Sequence, residues 1–312
     1  MRAFLFPGQG SQAVGMGAAL SDASRAARDV FETVDEALGQ NLSRLMRDGP
    51  EDELKLTENA QPAIMANAIA VFETLVRDGK LNFTNIANMA AGHSLGEYSA
   101  LCAAGSLDLS TCTKLLRTRG TAMQQAVPVG IGAMAALLGA DLDTARRIAA
   151  AAAEGEVCEV ANDNDPSQVV ISGHLGAITR AIAIAKEMGA KRAIQLPVSA
   201  PFHCSLMKPA AEAMAEALAK TVIVRPALPI YANVTAAADS DPDVIRAQLV
   251  EQVTGMVRWR ETIANMAAAG VEEFVELGGK VLGPMVKRIA PDARVTSIVT
   301  IDEIEALAKE IA

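Results

Sequence analysis

Ser94 stands in Gly92-His93-Ser94-Leu95-Gly96, at the end of a short apolar run and just before a stretch with helical spacing. G-x-S-x-G between a strand and a helix is the pattern of a nucleophile elbow. The two glycines permit a tight turn, the hydroxyl projects from the sheet edge, and the amides that follow face developing negative charge. The five-residue pattern alone fits an ordinary turn serine equally well. A serine nucleophile needs a base, and the chain has three histidines, His93, His174 and His203. His93 abuts the serine, and adjacent side chains on a sharp turn diverge. His174 follows a strand in ISGHLG and reads as a surface turn residue. His203, in the loop PVSAPFHCS, is left by elimination; its alternative is a partly buried structural histidine.

A hydrolase triad would add an Asp or Glu to orient the imidazole. The acids between positions 94 and 203 that stand out, such as Asp141, Asp143, Asp163 and Asp165, fall in a segment of different character, and none follows an obvious strand of the main sheet. A Ser-His pair whose imidazole is held by something else, such as a backbone carbonyl, is the expectation. Arg119 lies in KLLRTRGTAMQQAVP with Lys114 and Arg117. Such a helix usually presents a solvated basic face. Arg117 and Arg119 do not share one face, so one of them can point inward, where its fork suits a substrate carboxylate. The turn PGQGSQ lacks the spacing of a phosphate loop. It reads either as a plain strand–helix turn or as a second amide donor to an oxyanion.

The elements that must position these residues follow from periodicity. Residues 2–6 read as a strand, 24–38 as a helix, 60–78 as a helix with Pro62 near its start, 86–91 as a strand, 97–104 as a helix and 111–125 as a basic helix. This alternation implies an α/β protein with a mainly parallel sheet. Between Pro128 and Pro197 the order changes. GAMAALLG, VCEVAN, QVVISG and KRAIQLPVS (191–199) read as strands, 142–153 and 177–188 as helices, and Asp163-Asn164-Asp165-Pro166 as the turn joining the middle two strands. That order, β-α-β-β-α-β, predicts a ferredoxin-like inserted subdomain over 129–197, within a larger domain made of 1–128 and 198–312. The larger domain resumes with helices near 206–220, 243–253, 259–269 and 280–289 and strands near 228–234 and 271–278.

Composition narrows the class. The chain has 312 residues, 51% of them hydrophobic, and a net charge of -9. That is enough to bury a large core, and an acidic chain with no block of Lys and Arg is not expected to bind nucleic acid. The four cysteines, Cys102, Cys112, Cys158 and Cys204, form no CxxC pair and read as reduced thiols. No apolar run reaches the roughly 18 residues of a membrane span, and the N-terminal apolar run stops at Pro7, too short for a signal peptide. A cytoplasmic protein that needs no metal is expected.

Taken together, FPGQGSQ (6–12), GHSLGEYSAL (92–101), RGTAMQQAVP (119–128), GAMAALLG (132–139), NDNDPSQVVISG (162–173) and PVSAPFHCSLMKPA (197–210) closely resemble the malonyl-CoA:acyl carrier protein transacylases of bacterial fatty acid synthesis, in order and over almost the whole chain. The resemblance implies an α/β-hydrolase-like domain with a ferredoxin-like insert and a cleft between them. It implies a ping-pong transfer from malonyl-CoA to the phosphopantetheine thiol of acyl carrier protein, with no cofactor. By the same resemblance Ser94 is the nucleophile and His203 its base. The amides of Gln9 and Leu95 form the oxyanion hole, Arg119 grips the malonyl carboxylate, and the Gln252 backbone carbonyl holds His203. Asn162, Gln168 and Arg192 are implied to line the pantetheine channel. Phe202, beside His203, matches a position where related acyltransferase domains carry Phe with malonyl and Ser with branched extenders, although some bacterial members with Ser there also use malonyl. A polyketide-pathway acyltransferase and a thioesterase with the same Ser-His pair are the alternatives. A cleft within one chain needs no second copy, so a monomer is expected. An acidic carrier would need basic residues to dock on; Lys191, Arg192, Lys208, Lys287 and Arg288 are the candidates.

Overall fold

The computed structural model describes residues 1–198 and 200–312. Ser199, the last residue of the strand expected over 191–199, lies outside the described residues. Two sheets organise the chain. The larger has six strands in the order β10-β9-β1-β2-β7-β8, where β1 is Arg2–Phe6, β2 Met89–Gly92, β7 Ile230–Tyr231, β8 Ala238–Asp239, β9 Glu273–Leu277 and β10 Arg294–Ile298. All its pairings are parallel except β7 with β8. Phe4, Phe6, Ala90 and Val275 bury into one core, Ala3, Leu5, Ala91 and Phe274 into another on the opposite face. Strands covered on both faces are apolar throughout, which is why RAFLF and the 89–92 run show no alternation.

The smaller sheet is antiparallel, in the order β4-β5-β3-β6, with β3 Gly132–Leu138, β4 Cys158–Asp165, β5 Gln168–His174 and β6 Arg192–Gln195. Its two faces divide cleanly along β3. Ala133, Ala135 and Leu137 pack on helices Leu142–Ala153 and Leu175–Ile184, whereas Met134 and Ala136 join the core of the main body. The sheet is sewn to that body by backbone hydrogen bonds between β4 and the 257 region, Asp163 N to Val257 O and Val257 N to Ala161 O, both 2.9 Å.

This docking corrects the expected turn at Asp163-Asn164-Asp165-Pro166. β4 runs through Asp165, with register shifts after Val160 and Asp163, and the turn is confined to Pro166 and Ser167. Polar residues extend the strand because each carboxylate has a cation from the main body. Asp163, 2% exposed, pairs with Arg260 at 2.8 Å, and Asp165, fully buried, pairs with Arg288 at 2.8 Å. Other boundaries shift for local reasons. The helix with Pro62 begins earlier, at Thr57, and its last turn, Thr74–Asp78, is π-helical. The strand expected over 86–91 is Met89–Gly92, preceded by the short helix Phe83–Ile86. That expected over 228–234 is only Ile230–Tyr231. Helices Ala18–Ala23, Leu42–Asp48, Glu51–Lys55 and Ile301–Ile311, and strand β10, add to the expected set.

Candidate active site

The C-terminal ends of β1 and β2 lie side by side, with Phe6 opposite Gly92. Their following turns, PGQG and GHSLG, therefore meet at one edge of a parallel sheet, where α/β proteins place their ligands. Ser94 has φ 54° and ψ -112° and leads into helix Leu95–Ala103. That is a strained conformation for a residue with a side chain. The flanking glycines are sterically required. A Cβ on Gly92 would lie 1.9 Å from the Gly96 backbone, and one on Gly96 would lie 2.2 Å from the Phe6 carbonyl oxygen. Asn233, just past β7, clamps the elbow from the other side. Its Oδ1 accepts from the Ser94 amide at 2.7 Å and its Nδ2 donates to the Gly92 carbonyl at 2.7 Å.

His203 reaches the elbow from the loop after the small sheet, again with positive φ, 56°. Its Nε2 is 2.7 Å from Ser94 Oγ, and its Nδ1 is 2.9 Å from the carbonyl oxygen of Gln252. A carbonyl only accepts, so Nδ1 carries the proton and Nε2 is free to accept from the Ser94 hydroxyl. Burial, and then the Arg119 charge, pull the His203 pKa down to about 3, so the ring is neutral at neutral pH. His93 points elsewhere: its Nε2 meets Asn164 Oδ1 at 2.9 Å and its ring packs edge-on to Trp259. His174 ends β5 and accepts from the Val157 amide through Nδ1 at 2.9 Å.

Arg119 is the residue of its helix, Leu109–Gln125, that turns inward; it is 1% exposed. Nη1 donates to Gln61 Oε1 at 2.8 Å, and Nη2 donates to Gln252 Oε1 at 2.9 Å and to Ser94 Oγ at 3.1 Å. These three acceptors are neutral, so the fork is oriented while its charge remains available to an anionic ligand. Arg117 faces the other way, to Asn59 and Gln40. Gln252 is the hub of the site. Besides holding His203 and Arg119, its Nε2 donates to the Ser94 carbonyl at 3.0 Å and to Glu97 Oε2 at 2.8 Å. Glu97 is 2% exposed, and burial pushes its pKa up to about 7 against the lowering pull of Asn233, Gln252 and Arg119.

A cavity of about 630 Å³ opens between the two sheets over Ser94. Gln9 and Leu95 both border it. The Leu95 amide is the first of its helix and has no intrahelical acceptor. The Gln9 side chain accepts from Thr57 Oγ1 at 3.3 Å. Asn162, Gln168 and Phe202 line the cavity as well. Arg192 does not line it. It stands exposed at the start of edge strand β6, across from Leu138, which pairs with Gln168 on its other side. Arg192 thus shares a sheet face with Gln168 but lies two strands further out. All five basic docking candidates are exposed; Arg288 pairs with Asp165 and Lys287 donates to the Ala293 carbonyl at 2.8 Å.

Four residues of the site were not among the expected ones: Gln61, Glu97, Asn233 and Asn164. Gln61 carried a usable signal, as a polar side chain within the apolar run AQPAIMANAIAVF. Glu97 did too, in the first helical turn after the elbow. Asn233 and Asn164 carried none that a strand-end asparagine elsewhere would not. Among the described residues no three His, Cys, Asp or Glu side chains are grouped to hold a metal ion, and no helix is long and apolar enough to cross a membrane.

Known proteins share this fold. Residues 3–280 match the acyl transferase domain family. The malonyl CoA-acyl carrier protein transacylase of Escherichia coli K12 is 44% identical over 92% of this chain and 92% of its own. The crystal structure of the acyl-carrier-protein-S-malonyltransferase from Bartonella henselae superposes with a TM-score of 0.97 at 49% identity, covering 99% of each chain. A malonyl-transacylase solved in complex with its type II PKS acyl-carrier protein superposes with a TM-score of 0.95 at 37% identity, again over 99% of each chain. With a serine elbow, its histidine and a buried arginine in one cleft, the chain belongs to the acyl transferase domain family, among the malonyl CoA-acyl carrier protein transacylases.

Proposed function

We propose that the protein transfers a malonyl group from malonyl-CoA to the phosphopantetheine thiol of an acyl carrier protein, in fatty acid biosynthesis, through a malonyl-Ser94 intermediate. The observation that carries this reading is the Ser94–His203 pair beside a buried arginine whose hydrogen-bond partners are all neutral. Ser94 Oγ attacks the thioester carbonyl as its proton passes to His203 Nε2. The carbonyl oxygen becomes an oxyanion, held by the amides of Gln9 and Leu95. Collapse of the tetrahedral intermediate breaks the C–S bond, and His203 returns the proton to the departing CoA sulfur. The carrier thiol then repeats the steps in reverse, and Ser94 regains its proton. The CoA thioester and the carrier's phosphopantetheine thiol are both substrates, so the sequence of steps uses no cofactor.

Arg119 binds the malonyl carboxylate, and the Gln252 carbonyl keeps the His203 tautomer that accepts from Ser94. Asn162 and Gln168 border the pantetheine path, with Arg192 beyond its mouth. Phe202, 7% exposed beside His203, leaves little room for a methyl on the acyl α-carbon, a discrimination of about 1–3 kcal/mol. The protein is read as a cytoplasmic monomer. Its domains are an α/β-hydrolase-like unit of 1–128 and 198–312 and a ferredoxin-like unit of 129–197, whose strand order 4-1-3-2 supports that description.

Intact-mass spectrometry after incubation with malonyl-CoA tests this. A malonyl adduct on the wild type, absent in Ser94→Ala and weak in Arg119→Ala, is expected. An unmodified wild type with free malonate accumulating would make the protein a thioesterase instead.

A further inference from the structure

Glu97 is a buried carboxylate that the reaction above does not use. Its Oε2 accepts two hydrogen bonds, from the Asn233 amide at 3.0 Å and from Gln252 Nε2 at 2.8 Å. A glutamine amide has a donor end and an acceptor end, and Glu97, with the Ser94 carbonyl, decides which way this one lies. With Nε2 turned to Glu97 Oε2 and the Ser94 carbonyl, Oε1 faces Arg119 Nη2 at 2.9 Å. The reversed amide would set its NH₂ against the guanidinium and its oxygen against both the carboxylate and the Ser94 carbonyl, three contacts between like partial charges. The sense of the Gln252 amide therefore controls one of the acceptors that aim Arg119. The same Glu97 oxygen holds the Asn233 backbone, whose side chain ties down the elbow at Gly92 and Ser94.

We propose that Glu97 is a positioning residue that sets the selectivity of the site for carboxylate-bearing acyl groups, acting through the Gln252 side chain to hold Arg119 within reach of the acyl group on Ser94. The inference rests on the malonyl-transfer reading. What matters is an oxygen acceptor at the place of Oε2, because both donors converge on that atom. A glutamine at 97 can put its oxygen there. Aspartate keeps the charge but withdraws the oxygen by one methylene.

The test is the ratio of kcat/KM for malonyl-CoA to that for acetyl-CoA in the wild type, Glu97→Gln and Glu97→Asp, with unfolding midpoints measured alongside. Glu97→Gln should keep the ratio within about threefold of wild type, and Glu97→Asp should lower it at least about tenfold, chiefly through KM for malonyl-CoA. Should Glu97→Asp fail to fold, Glu97→Met, similar in volume and lacking any acceptor oxygen, takes its place with the same expectation. Equal losses on both substrates would reduce Glu97 to a scaffold residue and overturn the proposal. So would a retained ratio in Glu97→Asp or a lost one in Glu97→Gln, which would assign the effect to charge. A wild type that forms no malonyl adduct at Ser94 would remove the underlying reading together with the proposal. A wild type that loads malonyl normally, with any of the contrary ratios, removes the proposal alone.

Discussion

Ser94 Oγ and His203 Nε2 lie 2.7 Å apart, and both residues hold left-handed backbone, with φ of 54° and 56°. Two side-chain-bearing residues in such conformations store about 1–3 kcal/mol each. Both are over-determined by their surroundings: Ser94 by Asn233 and the glycine contacts, His203 by the Gln252 carbonyl. The pair is thus set in place before substrate arrives. Among the described residues no carboxylate accepts from the imidazole, which donates to a carbonyl and faces the Arg119 charge.

A weak, buried base has a distinct pH signature. With the His203 pKa drawn down to about 3 by burial and Arg119, its neutral, proton-accepting form persists as pH falls well below the ordinary value. The acylation rate at Ser94 should therefore show no acid limb near pH 6.5, the usual histidine pKa. A tenfold fall between pH 7 and pH 5.5, traced by rapid-quench acylation, would contradict the neutral, desolvated ring. Replacing the base, His203→Ala, should slow acylation by about 10²–10⁴-fold.

Arg119 should matter for malonyl far more than for acetyl. Arg119→Ala is expected to lower kcat/KM for malonyl-CoA by about 10–100-fold, the worth of a charge-assisted hydrogen-bond pair. Acetyl-CoA should change little. Arg119→Lys should not restore malonyl transfer, because an ammonium lacks the planar fork. Steady-state kinetics with the two thioesters decides both points.

The elbow glycines should differ sharply from the turn glycine beside them. Gly96→Ala places a methyl 2.2 Å from the Phe6 carbonyl oxygen, a backbone clash expected to cost at least about 2 kcal/mol. Gly10 has φ 104° and nothing within 4 Å of an added Cβ. Gly10→Ala should therefore cost only the conformational strain, about 1 kcal/mol. Urea unfolding of the two variants compares them directly.

The small sheet should loosen when its ion pairs are broken. Arg288→Met leaves the fully buried Asp165 carboxylate with, among the described residues, only Ser167 as partner. A loss of about 1–3 kcal/mol is expected, tempered by the exposure of the arginine. Asp165→Asn together with Arg288→Met should recover part of it, since the uncompensated charge is then gone. Denaturant melts of the single and double variants provide the check.

Glu97 should impose its own pH dependence on stability. Its folded pKa, about 7, lies above the ordinary 4.5, so the folded state holds the proton more tightly. The stabilisation is complete below pH 4.5 and lost as pH rises through 7, amounting to about 3 kcal/mol. Glu97→Gln does not titrate. The stability of wild type relative to this variant should therefore fall by that amount between pH 4 and pH 8, while the His203 contribution, common to both, cancels. A constant difference across that range would show that burial does not raise the folded-state pKa of Glu97 above its ordinary value.

Local spacing was enough to raise Ser94 as a candidate, because a G-x-S-x-G turn encodes its own close contacts: each glycine answers a backbone only a few residues away or on the adjoining strand. Elimination among three histidines left His203, and the β-α-β-β-α-β order was legible because alternation and helical periodicity are local properties. The polar network around them is not local. Glu97 with Asn233, Gln252 with Ser94 and Arg119 with Gln61 meet across 136, 158 and 58 residues of chain, and no period links such positions. Only closure of the parallel sheet, which brings the ends of β1, β2 and β7 to one edge, puts them together. Tertiary packing also chose Arg119 over Arg117, since two residues two apart on a helix are distinguished only by which face is buried. The stretch from Asp163 to Asp165 reads as a solvent turn because its residues are turn formers. Arg260 and Arg288 make it a buried strand by supplying the countercharges that its carboxylates require out of water, and sequence spacing carries no record of those partners.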